Sequence, residues 1–403
     1  MAARSNSHHG KDNAVFEQLK NLLRAPEAKS SRAAQLIQFE SGGRARWTPR
    51  DYAALAREGY VCNAIVHRAV KVVAENVAAV RYLVYEGAGE RDPHPLRDLL
   101  ARPNPRQEGA AFLESVCAHL LLAGNAYIEA VLVEGAVREL YTLRPDRMRV
   151  VPGADGWPEA YDYAIGARSV RFDQSAPLPP ILHLTQFHPL DDHYGLSSNE
   201  PAAVAIDTHN SAAKWNKALL DNAARPSGAL VYTGPEGSVL SESQFERLKR
   251  ELEDQYQGTR NAGRPMLLEG GLDWKAMSLS PKDMDFLEAK NAAAREIALA
   301  FGVPPMLLGI PGDNTYANYQ EANRVFWRGT VLPLASRIGS SLTHWLAPAF
   351  GDGIRLVVDT DNVPALAGDR AALWEQVGKA AFLTINEKRE AIGFSPVEGG
   401  DRL

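Results

Sequence analysis

Two cysteines in 403 residues, Cys62 and Cys117, are too few to staple a fold. Each lies in an apolar stretch, so buried thiols of a reducing compartment are the expectation, with a disulfide between them the alternative. The chain also lacks any run of about 18 apolar residues free of charge or proline, which removes a membrane span. Its start, MAARSNSHHGKDNAVFEQL, has no apolar stretch of the secretion-signal kind, and a cytosolic protein is expected. Basic excess is missing too. Forty-four Lys and Arg stand against 49 Asp and Glu, a net charge of −5, the wrong sign for gripping nucleic acid by neutralising phosphates. No glycine-rich phosphate loop, dinucleotide-binding glycine triplet, His-Glu-x-x-His, Cys-x-x-Cys or Gly-x-Ser-x-Gly occurs, so nothing points to nucleotide hydrolysis or the common hydrolase chemistries.

What is present is average globular composition, enough for two or three structural units at about 150 residues each. Residues 1–46 read as a polar, mobile arm around one amphipathic stretch, Val15 to Leu23. Order is expected from Thr48-Pro49-Arg50-Asp51, a hydroxyl cap with proline at the first helical position. A helix over Val61 to Val80 places Ile65, Ala69, Val72 or Val73 and Val77 on one face, which should pack on a sheet. Short β-rich runs follow at Arg81–Tyr85, Ala126–Val133, Ala136–Leu143, Arg147–Val151, Glu159–Ile165, Ser169–Phe172 and Ile181–Phe187, with a helix from Gly109 to Leu122 after the breaker run ARPNPRQ. Turns such as Glu134-Gly135 favour antiparallel hairpins, and the first half is α+β.

From Ser197 onward helix dominates. Ser197 to Glu200 reads as a cap opening an alanine-rich helix that ends near Ala224-Arg225-Pro226. A small insert comes next: strand Ala229–Tyr232, helix Ser241–Tyr256, strands Met266–Glu269 and Trp274–Leu279. Ser280-Pro281 starts a second alanine-rich helix to about Phe301. A Gly/Pro/Asn loop leads to a long helix, Tyr319 to Leu346, which Pro333 should kink and Pro348 should stop. Strand Ile354–Asp359 and short helices Gly368–Ala381 and Thr384–Ile392 finish the chain. Small side chains at Ala202, Ala203, Ala205, Ala212, Ala213, Ala289 and Ala292 to Ala294 suit helices that approach closely, within one subunit or around an oligomer axis.

Two polar constellations could carry chemistry. His183, His188, Asp191, Asp192 and His193 offer nitrogen and oxygen ligands for a metal-dependent hydrolase; the competing reading is a turn after a strand, its carboxylates capping nearby backbone. Asp352, Asp359 and Asp361 are acids on and after a strand, but the glycine and the twelfth-position acid of a calcium loop are missing, and solvated strand and turn residues are expected. No cofactor or metal is expected, and the chain is read as a non-enzyme. An acidic monomeric scaffold is a further alternative.

The order of segments resembles the tailed-bacteriophage portal family, the head-to-tail connector, in its compact long-tailed-phage form. The resemblance rests on ARPNPRQEGAAFLESVCAHLLLAGNAYIEA, LYTLRPDRMRVV, ILHLTQFHPLDDHYGLSS, FGVPPMLLGIPGDNTYANYQEANRVFWRGTVLPL and LTINEKREAIGFSPVEGGD, in sequence between Asn63 and Asp401. The short length also suits a gene transfer agent, a domesticated phage-like particle. The resemblance implies a wing over 47–196, completed by the long helix and strand of 319–366; stem helices at 197–225 and 280–301; a clip at 226–279; a tunnel loop at 302–318; and a short crown at 367–403. It further implies a ring, of twelve subunits, at one capsid vertex. That ring nucleates head assembly, passes double-stranded DNA, and meets the major capsid protein, the terminase large subunit and a head-completion adaptor. Gly309, Gly312, Asp313, Asn314, Thr315 and Tyr316 would line the channel, and Glu246, Arg250, Asp254, Tyr256 and Arg260 would form the docking face. The implied location is the particle, and the host cytoplasm during assembly.

Overall fold

The computed structural model describes residues 48, 51–87, 89–221, 228–232, 241–256, 272–276, 286–312, 315–351 and 353–402. The expected arm at 1–46 lies outside these. The first helix, α1 (Tyr52–Leu55), is capped by Asp51, whose Oδ1 accepts from Ala54 N at 2.9 Å. Thr48 does not cap it. Its backbone N–H and hydroxyl instead donate to the Asp207 carboxylate. The chain continues as a π-helical turn, Ala56–Val61, and Cys62 is exposed while Cys117 is buried; both are free thiols. The expected burial therefore holds for Cys117 alone, because Cys62 follows the end of that turn.

Helix α2 (Ala64–Ala78) starts at Asn63, whose side chain accepts from Ile65 N and Val66 N, and it buries Val66, Val70, Val73 and Val77. This face packs chiefly on another helix and not on a sheet as the sequence suggested. After β1 (Tyr82–Glu86) and β2 (Gly89–Glu90), α3 (Pro95–Ala101) uses proline in its first turn, a signal hidden by its nearness to the breaker run. The partner of α2 is α4 (Gly109–Ala123), which buries Phe112, Val116 and Leu120.

Strands β3 (Asn125–Val133), β4 (Ala136–Leu143) and, later, β8 (Ile181–Thr185) make a sheet in the order β4-β3-β8; β5 (Met148–Pro152), β6 (Pro158–Ile165) and β7 (Arg168–Asp173) make a second. All pairings are antiparallel, as the short glycine turns required. A minor core between these sheets gathers Tyr127, Leu143, Met148, Val150, Tyr161 and Ile181.

Helix α5 (Ala203–Asp221) opens six residues later than expected from Ser197, whose hydroxyl donates to Leu122 O at 2.7 Å and accepts from Asn199 N at 3.1 Å, so that its cap-like bond closes a turn ahead of the helix. Then come β9 (Gly228–Tyr232), α6 (Glu242–Tyr256) and β10 (Leu272–Ala276), with β9 and β10 paired. Strand Met266–Glu269 and the Ser280-Pro281 start fall outside the described residues. Helix α7 (Phe286–Ala300) packs on α5.

Helices α8 (Tyr316–Phe326) and α9 (Leu332–Phe350) are joined by a π-helical turn, Trp327–Val331, in which Leu332 N–H reaches back to Trp327 O. Pro333 has no N–H to give the turn before it, and the wider hydrogen-bonding pattern falls where the kink was expected. Pro348 does not stop α9; the helix runs to Phe350 and ends at Gly351. Ile338, Leu342 and Leu346 of α9 join Phe112, Val66 and Phe326 in the main core, whose burial supplies the principal driving force. Strand β11 (Ile354–Val358) pairs with β1, and α10 (Ala367–Lys379) and α11 (Ile385–Ala391) follow, α11 with a Thr384/Glu387 capping box.

Candidate channel loop and docking face

The loop between α7 and α8 is built, not loose, over its first half. Gly302 is left-handed at φ +64°, and the Thr330 hydroxyl on the π-helical turn donates to its carbonyl at 2.7 Å. A 3-10 turn, Pro305–Leu308, is closed by Gly309 at φ +72°, a backbone region glycine enters without Cβ strain. Ile310 is buried against Ala294 and Ala298, where the small side chains of α7 leave room for it. The Arg295 guanidinium donates to Pro311 O and stands beside Gly312. Thr315 caps α8, accepting from Asn318 N at 3.3 Å, and Tyr316 is 78% exposed. Asp313 and Asn314 lie outside the described residues.

Sequence reasoning missed Arg295, Ile310 and Thr330. Ile310 was the one available signal, the only β-branched apolar residue between Gly309 and Tyr316. Arg295 and Thr330 sit on helices, and nothing local reveals their reach. The loop therefore has a base beside it, although Gly309 to Tyr316 carries none of its own.

Helices α5 and α7, with the turn residue Ala202 just before α5, bring alanines together on one side only. Ala202, Ala203, Ala205, Ala212, Ala293 and Ala294 are buried, whereas Ala213, Ala289 and Ala292 face out. Val204, Leu287 and Leu299 are exposed on the outward faces, Leu299 at 79%.

On α6, Ser241 and Gln244 cap each other reciprocally, Ser241 N to Gln244 Oε1 at 3.0 Å. Glu246 and Arg250 are exposed one turn apart, and Arg250 Nε donates to the Glu246 carbonyl. Asp254 continues that i, i+4 row and Tyr256 ends the helix; Arg260 lies outside the described residues.

The histidine constellation is committed to structure. His183 stacks on Tyr127 at 4.2 Å between ring centres. Asn125 Oδ1 accepts from Gly195 N–H and lies 2.9 Å from His183 Nε2, so that nitrogen carries the proton, leaving Nδ1 to accept from the Tyr161 hydroxyl. Burial pushes its pKa down to about 3, with His193 adding repulsion. His188 Nδ1 accepts from Leu190 N, and Asp191 Oδ1 accepts from His193 N and Tyr194 N. Asp192 is exposed in the same turn. Among the described residues no group of three or more His, Cys, Asp or Glu is placed to hold a metal. The hydrolase reading finds no support. Asp359 accepts from Asn362 Nδ2 at 2.6 Å and Asp361 N at 3.2 Å, and Asp361 pairs weakly with Arg370, so these are turn residues; Asp352 lies outside the described residues.

The mixed architecture, with its paired alanine-bearing helices and broken long helix, defines a class that comparison with known proteins names. The phage portal protein family model matches residues 64–393, and the chain belongs to that family. The portal protein of Enterobacteria phage HK97 is 29% identical over 76% of this chain and 72% of its own length. Two solved structures are each 55% identical over 88% of this chain and 96% of theirs: the neck of an empty GTA particle computed with C6 symmetry, TM-score 0.72, and the neck of a native GTA particle computed with C12 symmetry, TM-score 0.69. The chain is a portal protein of the head-to-tail connector type.

Proposed function

We propose that twelve copies of this chain close into a ring at one vertex of a gene-transfer-agent-like particle, where the ring nucleates head assembly and conducts double-stranded DNA in and out. The observation that carries this reading is the 55% identity, across nearly the whole of the matched chain, to the neck structure computed with C12 symmetry. In this reading α5 and α7 are stem helices, whose outward Val204, Leu287 and Leu299 meet neighbouring subunits. The α6 face with Glu246, Arg250, Asp254, Tyr256 and Arg260 takes the terminase motor during filling and a head-completion adaptor afterwards, while other surfaces meet the capsid protein. The subunit is structural and assembles in the host cytoplasm; the energy for translocation belongs to the separate motor. Electron microscopy of purified particles tests this. A ring of this chain around a central hole at the tail-bearing vertex is expected, and its placement elsewhere, or with no hole, refutes it.

The loop from Gly309 to Tyr316 lines the channel in this reading. It adds one acid, Asp313, and no base, so it touches passing phosphates without the multiple contacts that would hold the duplex by several kcal/mol. An Asp313→Lys substitution and, as a separate variant, deletion of Gly312 to Thr315 are each expected to lower packaged DNA or let it leak after filling, measured as DNA per particle. If both packaging and retention are unchanged, the loop is no part of the channel.

A further inference from the structure

The run ARPNPRQEG, which breaks the chain between α3 and α4, builds a feature that the ring and channel do not use. Asn104 is buried, and its Oδ1 accepts from Arg106 N and Gln107 N, both at 2.9 Å, holding the backbone in a tight turn. The same side chain donates through Nδ2 to Leu140 O at 2.8 Å, and Leu140 N donates to Pro103 O at 2.7 Å. The turn is thereby stitched to the outer edge of β4, itself an edge strand. Two residues before Leu140 the β3–β4 register slips: Val131 faces Glu139 and Leu132 faces Val137, leaving Arg138 as the extra residue of a bulge. Bulges at sheet edges re-aim side chains.

These devices line one cleft of about 450 Å³ with Arg102, Arg106 and Arg138. All three are exposed, and among the described residues none lies within 4.0 Å of a carboxylate. Two acids, Glu108 and Glu139, share the cleft, but one Glu139 oxygen already accepts from the Tyr141 hydroxyl at 2.8 Å. Converging guanidiniums without internal partners are suited to bidentate pairing with carboxylates or phosphates. The two rim acids decide between them. A phosphate backbone would bring charge of one sign against both carboxylates, whereas a peptide can set its acids on the arginines and its N–H groups on the glutamates.

We propose that this cleft docks an acidic peptide segment of a partner protein, the arginines being held ready by the Asn104 turn and the β4 bulge. The assignment does not depend on the ring or the channel. The test uses the full chain, a fluorescein-labelled peptide of glutamates spaced by glycines and, separately, a labelled short DNA duplex. Wild-type protein is expected to bind the peptide saturably, one per subunit. The triple variant Arg102→Glu, Arg106→Glu, Arg138→Glu should weaken binding at least about tenfold, since charge-assisted pairs are lost. A control triple of equal charge, Arg57→Glu, Arg168→Glu, Arg402→Glu, should bind as wild type, with matching circular dichroism for all three proteins. Equal weakening by both triples, or non-saturable binding, overturns the proposal as mere surface charge. Duplex binding that is tighter than peptide binding and lost in the cleft triple overturns it in favour of nucleic acid. Failure of the cleft triple to oligomerise, with no peptide binding by wild type, overturns it in favour of a subunit contact.

Discussion

Replacing Gly195 with alanine is expected to abolish stable folding of the chain. The new Cβ would lie 2.0 Å from Gly124 O and 2.6 Å from Gln186 N. Both are backbone atoms, so no side chain can swing aside. Gly124, left-handed at φ +71°, ends α4, and its carbonyl accepts from Gln186 N at 2.7 Å; its own Cβ position is 2.2 Å from Gly195 O. Two backbone segments thus cross with no room for a methyl group on either, and Asn125 ties them by accepting from Gly195 N. Relieving such a clash means separating α4 from the 186–195 segment, at a cost of more than about 4 kcal/mol, a large part of the about 5–15 kcal/mol that holds a domain. Gly135→Ala is the matched control: it has φ +78° but nothing within 4 Å, so only the conformational cost of about 1 kcal/mol applies. Thermal unfolding and soluble yield distinguish the two. If Gly195→Ala melts within a degree or two of Gly135→Ala, the close crossing is wrong.

That crossing was invisible in the sequence, and the reason is general to this chain. Signals confined to a few neighbouring residues were legible: strand Ala136–Leu143 and helix Gly109–Ala123 fall where alternation and periodicity place them, and the Ser241 and Thr384 caps form as spacing dictates. Misreadings occurred where a side chain suited to a local role is used at a distance. Thr48 binds Asp207, 159 residues away, and does not cap the helix beside it, while Ser197 donates to Leu122 O, 75 residues away, and spends its local acceptor on Asn199 N in a turn that ends before α5 begins. Pro348 reads as a stop, but it forfeits only the one N–H bond back toward His344 O, and the helix continues around it to Gly351, whose N–H still reaches Ala347 O. In the channel loop the glycines were readable, and the clamp from Arg295 to Pro311, set by the packing of α7, was not.

The histidines make the remaining large effect one of pH. His183 is held neutral, its pKa pushed down to about 3 by burial and His193, and His119 is pushed down to about 4 by burial, with Asp146 and Arg144 acting in opposite directions. Both lie below the value of about 6.5 that a histidine has in an unfolded chain. Between those limits the unfolded chain binds more protons than the folded one, so stability rises with pH there. The contribution is intact above about pH 6.5 and is lost as pH falls, by up to about 1.4 kcal/mol per pH unit for each histidine. Denaturant titration should therefore show a loss of a few kcal/mol between about pH 7 and pH 4.5. His183→Gln removes one of the two groups and should reduce that loss by about half, whatever it does to stability at neutral pH, because the slope counts protons alone. An unchanged slope would mean that the imidazole protonates freely in the fold. That would contradict its bonds to Asn125 and Tyr161 and return His183 to the set of available metal ligands.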